Sequence, residues 1–148
     1  MEQNAQRELR AANPEWTVSE LMARLAKSLV SDGPALAFGP IPAEHVHDRI
    51  CIVISTTGSS GVAKSVGISA SALLASAKAS NKFLGAEFGN VWSLLLPLTH
   101  IAGINVLTRA LELGTDPIDL RNFEGNIQKL ISHQSYQHSY IAHLTVMG

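Results

Sequence analysis

Apolar positions along this chain follow two different periods, and the switches between them predict its elements. After a polar lead, Val18, Leu21, Met22, Leu25 and Leu29 recur at the spacing of one helix face. The capping-box sequence Thr17-Val18-Ser19-Glu20 introduces that face, and Asp32-Gly33-Pro34 stops it. An amphipathic helix packed on a sheet is expected. Leu36-Ala37-Phe38 reads as a short strand, Pro40-Ile41-Pro42 as a turn, and the continuous β-branched run over residues 50–55 as a central parallel strand. Ser69 can cap an alanine-rich helix reaching about residue 84, residues 91–96 read as a second buried strand, and Ile104, Leu107 and Leu111 mark a helix ended by Gly114. Strand and helix alternate. The pattern predicts an α/β layered structure with a mostly parallel sheet and flanking helices, in a single domain over residues 1–148 without internal repeats.

Composition adds little to the class but bounds the setting. With 148 residues, 46% hydrophobic and 16% charged, the chain can bury a core. The net charge of −1 points to neither nucleic acid nor an anionic membrane. Between residues 51 and 110, however, Lys64, Lys78, Lys82 and Arg109 face the single acid Glu87. A charge-poor, mildly positive middle suits an anionic ligand, and it equally suits the buried centre of an α/β sheet. Cys51 is the single cysteine, so no internal disulfide can form. Residues 1–10 are polar rather than basic-then-apolar, and no apolar run approaches a membrane span, so a cytoplasmic location is expected.

Candidate chemistry concentrates directly after the strand at 50–55, in Thr56-Thr57-Gly58-Ser59-Ser60-Gly61-Val62-Ala63-Lys64. Glycines permit close backbone approach and positive φ angles, hydroxyls add donors, and a lysine offsets phosphate charge. The carboxyl end of a strand is also where open α/β sheets bind ligands. Two phosphate loops fit. A Walker A loop, G-x-x-x-x-G-K-[ST], matches residues 58–65 except that Ala63 stands where glycine is required. That motif should open a helix at the lysine, whereas Ser65-Val66-Gly67-Ile68 is β-prone.

The other loop belongs to the adenylate-forming acyl ligases, whose Ser/Thr run, Gly, two Ser/Thr, Gly and Lys are matched by Thr56, Thr57, Gly58, Ser59, Ser60, Gly61 and Lys64. A second segment, Leu95-Leu96-Pro97-Leu98-Thr99-His100-Ile101-Ala102-Gly103, is similar to the strand-to-helix element that borders the acyl pocket in that family. Over residues 50–113 the chain thus resembles the AMP-forming acid:CoA ligases, and its second motif is most similar to the o-succinylbenzoate:CoA ligases of menaquinone synthesis. Ala63 and Ser65 depart from the usual Pro and Gly.

The resemblance implies ATP, Mg²⁺ and CoA as cosubstrates and cofactors, and a small carboxylic acid as substrate. It makes residues 1–148 a single partial AMP-binding domain. Thr57, Ser59, Ser60 and Lys64 would hold phosphate oxygens, and His100 and Gly103 would border the acyl and adenylate pocket. Other readings remain open. Ser/Thr/Gly clusters are also ordinary turns, a histidine at an element boundary also caps helices, and Gly103 also starts one. The family's later Thr-Glu pair for Mg²⁺, its Thr-Gly-Asp, the following arginine and the C-terminal lysine cannot be placed here. Likeness to the family is lost near His133, so residues 133–148 read as an atypical tail. The expectation is a truncated, inactive ligase without its own Mg²⁺ or CoA sites, the alternative a non-catalytic nucleotide-binding or interaction module on the same scaffold. Exposed sheet edges predict self-association. His133, His138 and His143 recur every five residues, but five helical residues turn about 140° beyond a full turn and odd steps in a strand change face, so no metal site is expected.

Overall fold

The computed structural model describes residues 5–57, 61–98, 100–121 and 139–141. Its contacts divide the chain into two compact units, Met1–Leu73 and Leu74–Gly148.

The first unit is a five-stranded mixed sheet in the order β3-β1-β2-β4-β5, made by β1 (Gln6–Ala11), β2 (Ala35–Phe38), β3 (His45–His47), β4 (Ile50–Thr57) and β5 (Ala63–Ser69). β1, β2 and β4 run parallel, while β3 and β5 close the two edges antiparallel. Helix α1 (Val18–Leu29) packs on β2 and β4. Its predicted capping box is formed: the Glu20 N–H donates to Thr17 Oγ1 at 3.1 Å and the Thr17 N–H donates to Glu20 Oε2 at 3.0 Å. Leu21, Met22, Leu25 and Ser28 are its buried positions, as the helical spacing requires for the three apolar residues. On one face of the sheet Leu9, Ala35, Ala37 and Val53 cluster, with Ile41, Val46 and Ile50 against them. The alternation of the pleat turns Leu36, Phe38, Ile52 and Ile54, also buried, to the other face.

Two features of this unit depart from the sequence reading. The polar lead contains a strand, because in β1 the inward Arg7 is satisfied by backbone: NH1 donates to the carbonyls of Ser28 and Ile50, each at 3.2 Å, and NH2 donates to that of Gly33. The run beginning at Ile50 is an interior strand but parallel on one side only, since its other neighbour is β5. The β-prone segment after Lys64 is that strand.

In the second unit β6 (Val91–Leu94) lies between β7 (Ile118–Asp119) and β8 (Ser139–Ile141), parallel to both. Helix α2 (Ala70–Phe83) leads into this unit, with the predicted Ser69 cap present: Ser69 Oγ accepts the Ala72 N–H at 3.2 Å. Helix α3 (Ile101–Leu113) packs on β6 and ends at Gly114, as expected. Ile104, Val106, Leu107, Ala110 and Leu113 are buried along it. β8 falls within the tail to which the sequence assigned no element. Among the described residues no helix is long and apolar enough to cross a membrane.

Candidate functional site

The phosphate-loop candidates sit on a β-hairpin. β4 delivers Thr56 and Thr57 at its carboxyl end, and β5 begins at Ala63 with Thr57 opposite Ala63 and Thr56 opposite Lys64. Directly opposed residues share a face, so the Thr56 hydroxyl and the Lys64 ammonium stem leave the hairpin on the same side. Both residues are exposed. Thr56 Oγ1 donates to the Lys64 carbonyl over a long 3.4 Å, which leaves the hydroxyl oxygen's acceptor side and the Lys64 ammonium outside any tight hydrogen bond. No acid pairs with Lys64 among the described residues. Gly61 closes the turn at φ +75°, with open space where a Cβ would stand, so it is required for its backbone conformation and not for packing. Gly58, Ser59 and Ser60 lie outside the described residues. The Walker A reading fails on geometry: Lys64 is in a strand, and the next helix starts only at Ala70.

The second motif forms the turn between β6 and α3. His100 is the N-cap residue of α3 with extended backbone angles, but its imidazole makes no cap hydrogen bond. Its carbonyl accepts the N–H groups of Gly103 at 3.1 Å and Ile104 at 3.3 Å, and the side chain is exposed. The helix-cap reading of His100 therefore holds for its backbone alone, and the ring is available for other contacts. Gly103 stands on the same turn of α3. A Cβ there would lie 2.9 Å from the Pro97 carbonyl carbon and 3.3 Å from the Leu96 oxygen, with the Pro97 oxygen nearer still. The Leu96-Pro97 turn folds back against the start of the helix, and only glycine lets it do so.

Sequence reasoning missed a buried polar cluster in the second unit. Asn81 continues the inward line of Leu73 and Ala77 on α2 and is 2% exposed. Its Oδ1 accepts Trp92 Nε1–H at 2.8 Å, and its Nδ2 donates to the Arg109 carbonyl at 3.2 Å and to Glu112 Oε2 at 2.7 Å. The guanidinium of Arg109 lies over the Trp92 ring, 5.0 Å from its centroid. A polar residue at the spacing of an apolar helix face was the available signal. His133, His138 and His143 lie outside the described residues.

Comparison with known proteins finds relatives in sequence and neighbours in fold. No protein-family model matches the chain. Over 77 residues, 52% of the chain, it is 38% identical to a probable 2-succinylbenzoate–CoA ligase of Mycobacterium tuberculosis, of which this segment is 20%. Over 112 residues it is 26% identical to the 2-succinylbenzoate–CoA ligase of Lactococcus lactis, covering 25% of that protein. In fold, 88% of the chain matches o-succinylbenzoate CoA synthetase of Bacillus subtilis, solved with its acyl-adenylate intermediate, at a TM-score of 0.54 and 20% identity, covering 40% of that chain. The chain thus spans well under half the length of these proteins. In sequence the chain is similar to a segment of the 2-succinylbenzoate–CoA ligases, and in fold to part of the o-succinylbenzoate CoA synthetase.

Proposed function

We propose that these residues form the nucleotide-phosphate-binding part of an ATP-dependent acid:CoA ligase acting on an acid of the 2-succinylbenzoate class. The observation that best supports this is the hairpin that sets unpaired Lys64 and Thr56 on one face beside a glycine turn. In the reaction a carboxylate oxygen attacks the α-phosphorus of ATP, the bond to the β-phosphate breaks, and pyrophosphate leaves. The CoA thiolate then attacks the acyl carbon and AMP departs with the bonding pair. Lys64 would hold the β- and γ-phosphates and offset the charge that develops on the leaving pyrophosphate. The hydroxyls of Thr56, Thr57, Ser59 and Ser60 and the amides near Gly58 and Gly61 would supply donors. His100 and Gly103 would border the acyl group.

The reading assigns Mg²⁺ and CoA to none of these residues. Adenylation needs acid, α-phosphate and metal held together, and misplacement by about 1 Å costs on the order of a hundredfold in rate. These 148 residues by themselves are therefore read as a partial AMP-binding domain that binds nucleotide without turning it over. Self-association belongs to the same reading, since β5 is an edge strand exposed from Ala63 to Gly67, and sedimentation should show a dimer.

Calorimetric titration with MgATP tests the phosphate site. Lys64→Ala should weaken binding roughly tenfold to a hundredfold, the worth of a charge-assisted contact. Equal affinities for the two proteins would remove the site from the loop. Pyrophosphate release that depends on added 2-succinylbenzoate would restore an active ligase in place of a partial one, and nucleotide binding without release fits the non-catalytic module as well.

A further inference from the structure

Two of the chain's six histidines stand on β3, and neither the phosphate loop nor the second motif uses them. Val46 between them packs against the buried cluster of the sheet, so the pleat turns His45 and His47 out together on the opposite face, where both are exposed. β3 is an edge strand, and its neighbour β1 sets Gln6 opposite His47 and Glu8 opposite His45. Residues two apart on a strand lie about 6.6 Å apart at Cα, close enough for two imidazoles to lean onto one ion at about 2.0–2.1 Å from each nitrogen. The His47 ring is also held: its Nδ1 accepts the Arg49 N–H at 3.2 Å and lies 3.0 Å from Asp48 Oδ1. When the Arg49 contact is made, the neutral ring carries its proton on Nε2. When Nδ1 carries the proton instead, it donates to the Asp48 carboxylate and leaves the Nε2 lone pair for a metal. A carboxylate behind an imidazole is the arrangement that orients a metal-bound histidine and raises its basicity. Glu8 is not a third ligand: both contacts from Arg10 run to its Oε1, at 2.9 and 3.2 Å, and among the described residues no group of three or more His, Cys, Asp or Glu can hold a metal ion.

We propose that His45 and His47 together bind one divalent late transition-metal ion, with Asp48 positioning the His47 ring and water filling the remaining coordination positions. Imidazole suits Ni²⁺, Cu²⁺ and Zn²⁺, whereas Mg²⁺ demands oxygen ligands. Structural Zn²⁺ sites take four protein ligands, so a site of two histidines and water fits Ni²⁺ and Cu²⁺ better. It is separate from the phosphate-loop reading and does not depend on it. The full 148-residue protein is titrated calorimetrically with nickel chloride, against magnesium chloride as the control, and compared with His45→Gln, His47→Gln and Asp48→Asn. Weak binding at the other histidines is common to all of these proteins and cancels in the comparison.

Loss of either histidine breaks the chelate and should weaken Ni²⁺ binding about a hundredfold. Asp48→Asn keeps both ligands and should weaken it about tenfold, with most of the loss recovered in Asp48→Glu. His45, His47 and Asp48 are exposed, so none of these changes should move the urea midpoint of the metal-free protein. Added Ni²⁺ should raise the parent's midpoint, because the strand holds the two rings on one face and the unfolded chain does not, and it should leave that of His45→Gln unchanged. Equal Ni²⁺ affinities in the parent and both histidine variants, or full affinity in Asp48→Asn, overturns the proposal. So does a parent whose midpoint does not respond to Ni²⁺, or a response that survives the loss of His45.

Discussion

Gly103 gives the sharpest separation of a structural from a ligand-binding role, and Gly103→Ala is the perturbation. An added methyl would stand 2.9 Å from the Pro97 carbonyl carbon, whereas non-bonded carbons are comfortable at about 3.5–4.0 Å. The turn or the start of α3 must therefore retreat by roughly 0.6 Å or more. Neither moves freely, because the Gly103 and Ile104 N–H groups both bond the His100 carbonyl and Ile104 is fully buried. Overpacking of this degree costs about 1–3 kcal/mol. Alanine's better helix propensity returns at most about 1 kcal/mol, and less in a first turn. The net expectation is a loss of about 1–2 kcal/mol. Urea unfolding followed by Trp92 fluorescence in a Trp16→Phe background should show a lower midpoint at unchanged slope. If Gly103 instead made room for a ligand, the midpoint would stay put and only nucleotide or acid affinity would fall; an unchanged or raised midpoint refutes the packing argument.

Other consequences concern the buried polar groups. The Cys51 thiol is fully buried, and burial raises its pKa from 9.0 to about 11 against the opposing charge of Arg7. The folded protein then holds a proton that the unfolded chain has released. Its stabilising contribution is complete below pH 9.0 and is lost as pH rises through about 11, a decline that Cys51→Ala should flatten in thermal scans. Native Cys51 should also resist thiol reagents at neutral pH until the protein unfolds. Asn81→Ala removes the hydrogen-bond partner common to Trp92, Arg109 and Glu112 and should cost about 2–4 kcal/mol in urea unfolding; a loss under about 0.5 kcal/mol would contradict the network. Arg7→Met leaves the carbonyls of Ser28, Gly33 and Ile50 without this donor and should cost about 1–3 kcal/mol, partly recovered by Arg7→Lys.

What the sequence revealed and what it concealed have distinct physical causes. α1 was legible because its cap, its apolar face and its stop agree, and the structure caps the helix at Thr17 and ends it at Leu29, just before that stop. β4 and β6 were legible as apolar runs, and α3 was legible through Leu107 and its terminal Gly114. β1 was not, because four of its six residues, Gln-Arg-Glu-Leu-Arg-Ala, are polar or charged, and the inward arginine is satisfied by carbonyls that only the folded chain assembles. β3, His45-Val46-His47, is too short and too exposed to carry a period. The loop candidates were picked out by residue type at fixed offsets, while the pairing of Thr56 with Lys64 depends on a hairpin register that no local pattern specifies. Asn81 escaped notice, and Arg109 was read only as a charge, because a buried polar residue is recognised by its partners, and those of Asn81 lie 11 to 31 positions away along the chain.

The hairpin setting of Lys64 also bears on how the proposed phosphate loop would work. A Walker loop runs straight into a helix, so phosphate meets a converging set of amides and the positive end of a helix dipole. Here the chain passes from the turn into β5, and α2 begins only after Ser69. Strands contribute little net dipole, so attraction for phosphate must come from the lysine charge, the hydroxyls and whatever amides the turn directs outward. Lys64 and Thr56 are both exposed, which places that charge in water, where salt screens it over about 8 Å at physiological ionic strength. On the proposed phosphate-binding reading, such a loop holds phosphate weakly while it stands in water, and the same contacts strengthen wherever water is excluded and the local dielectric falls.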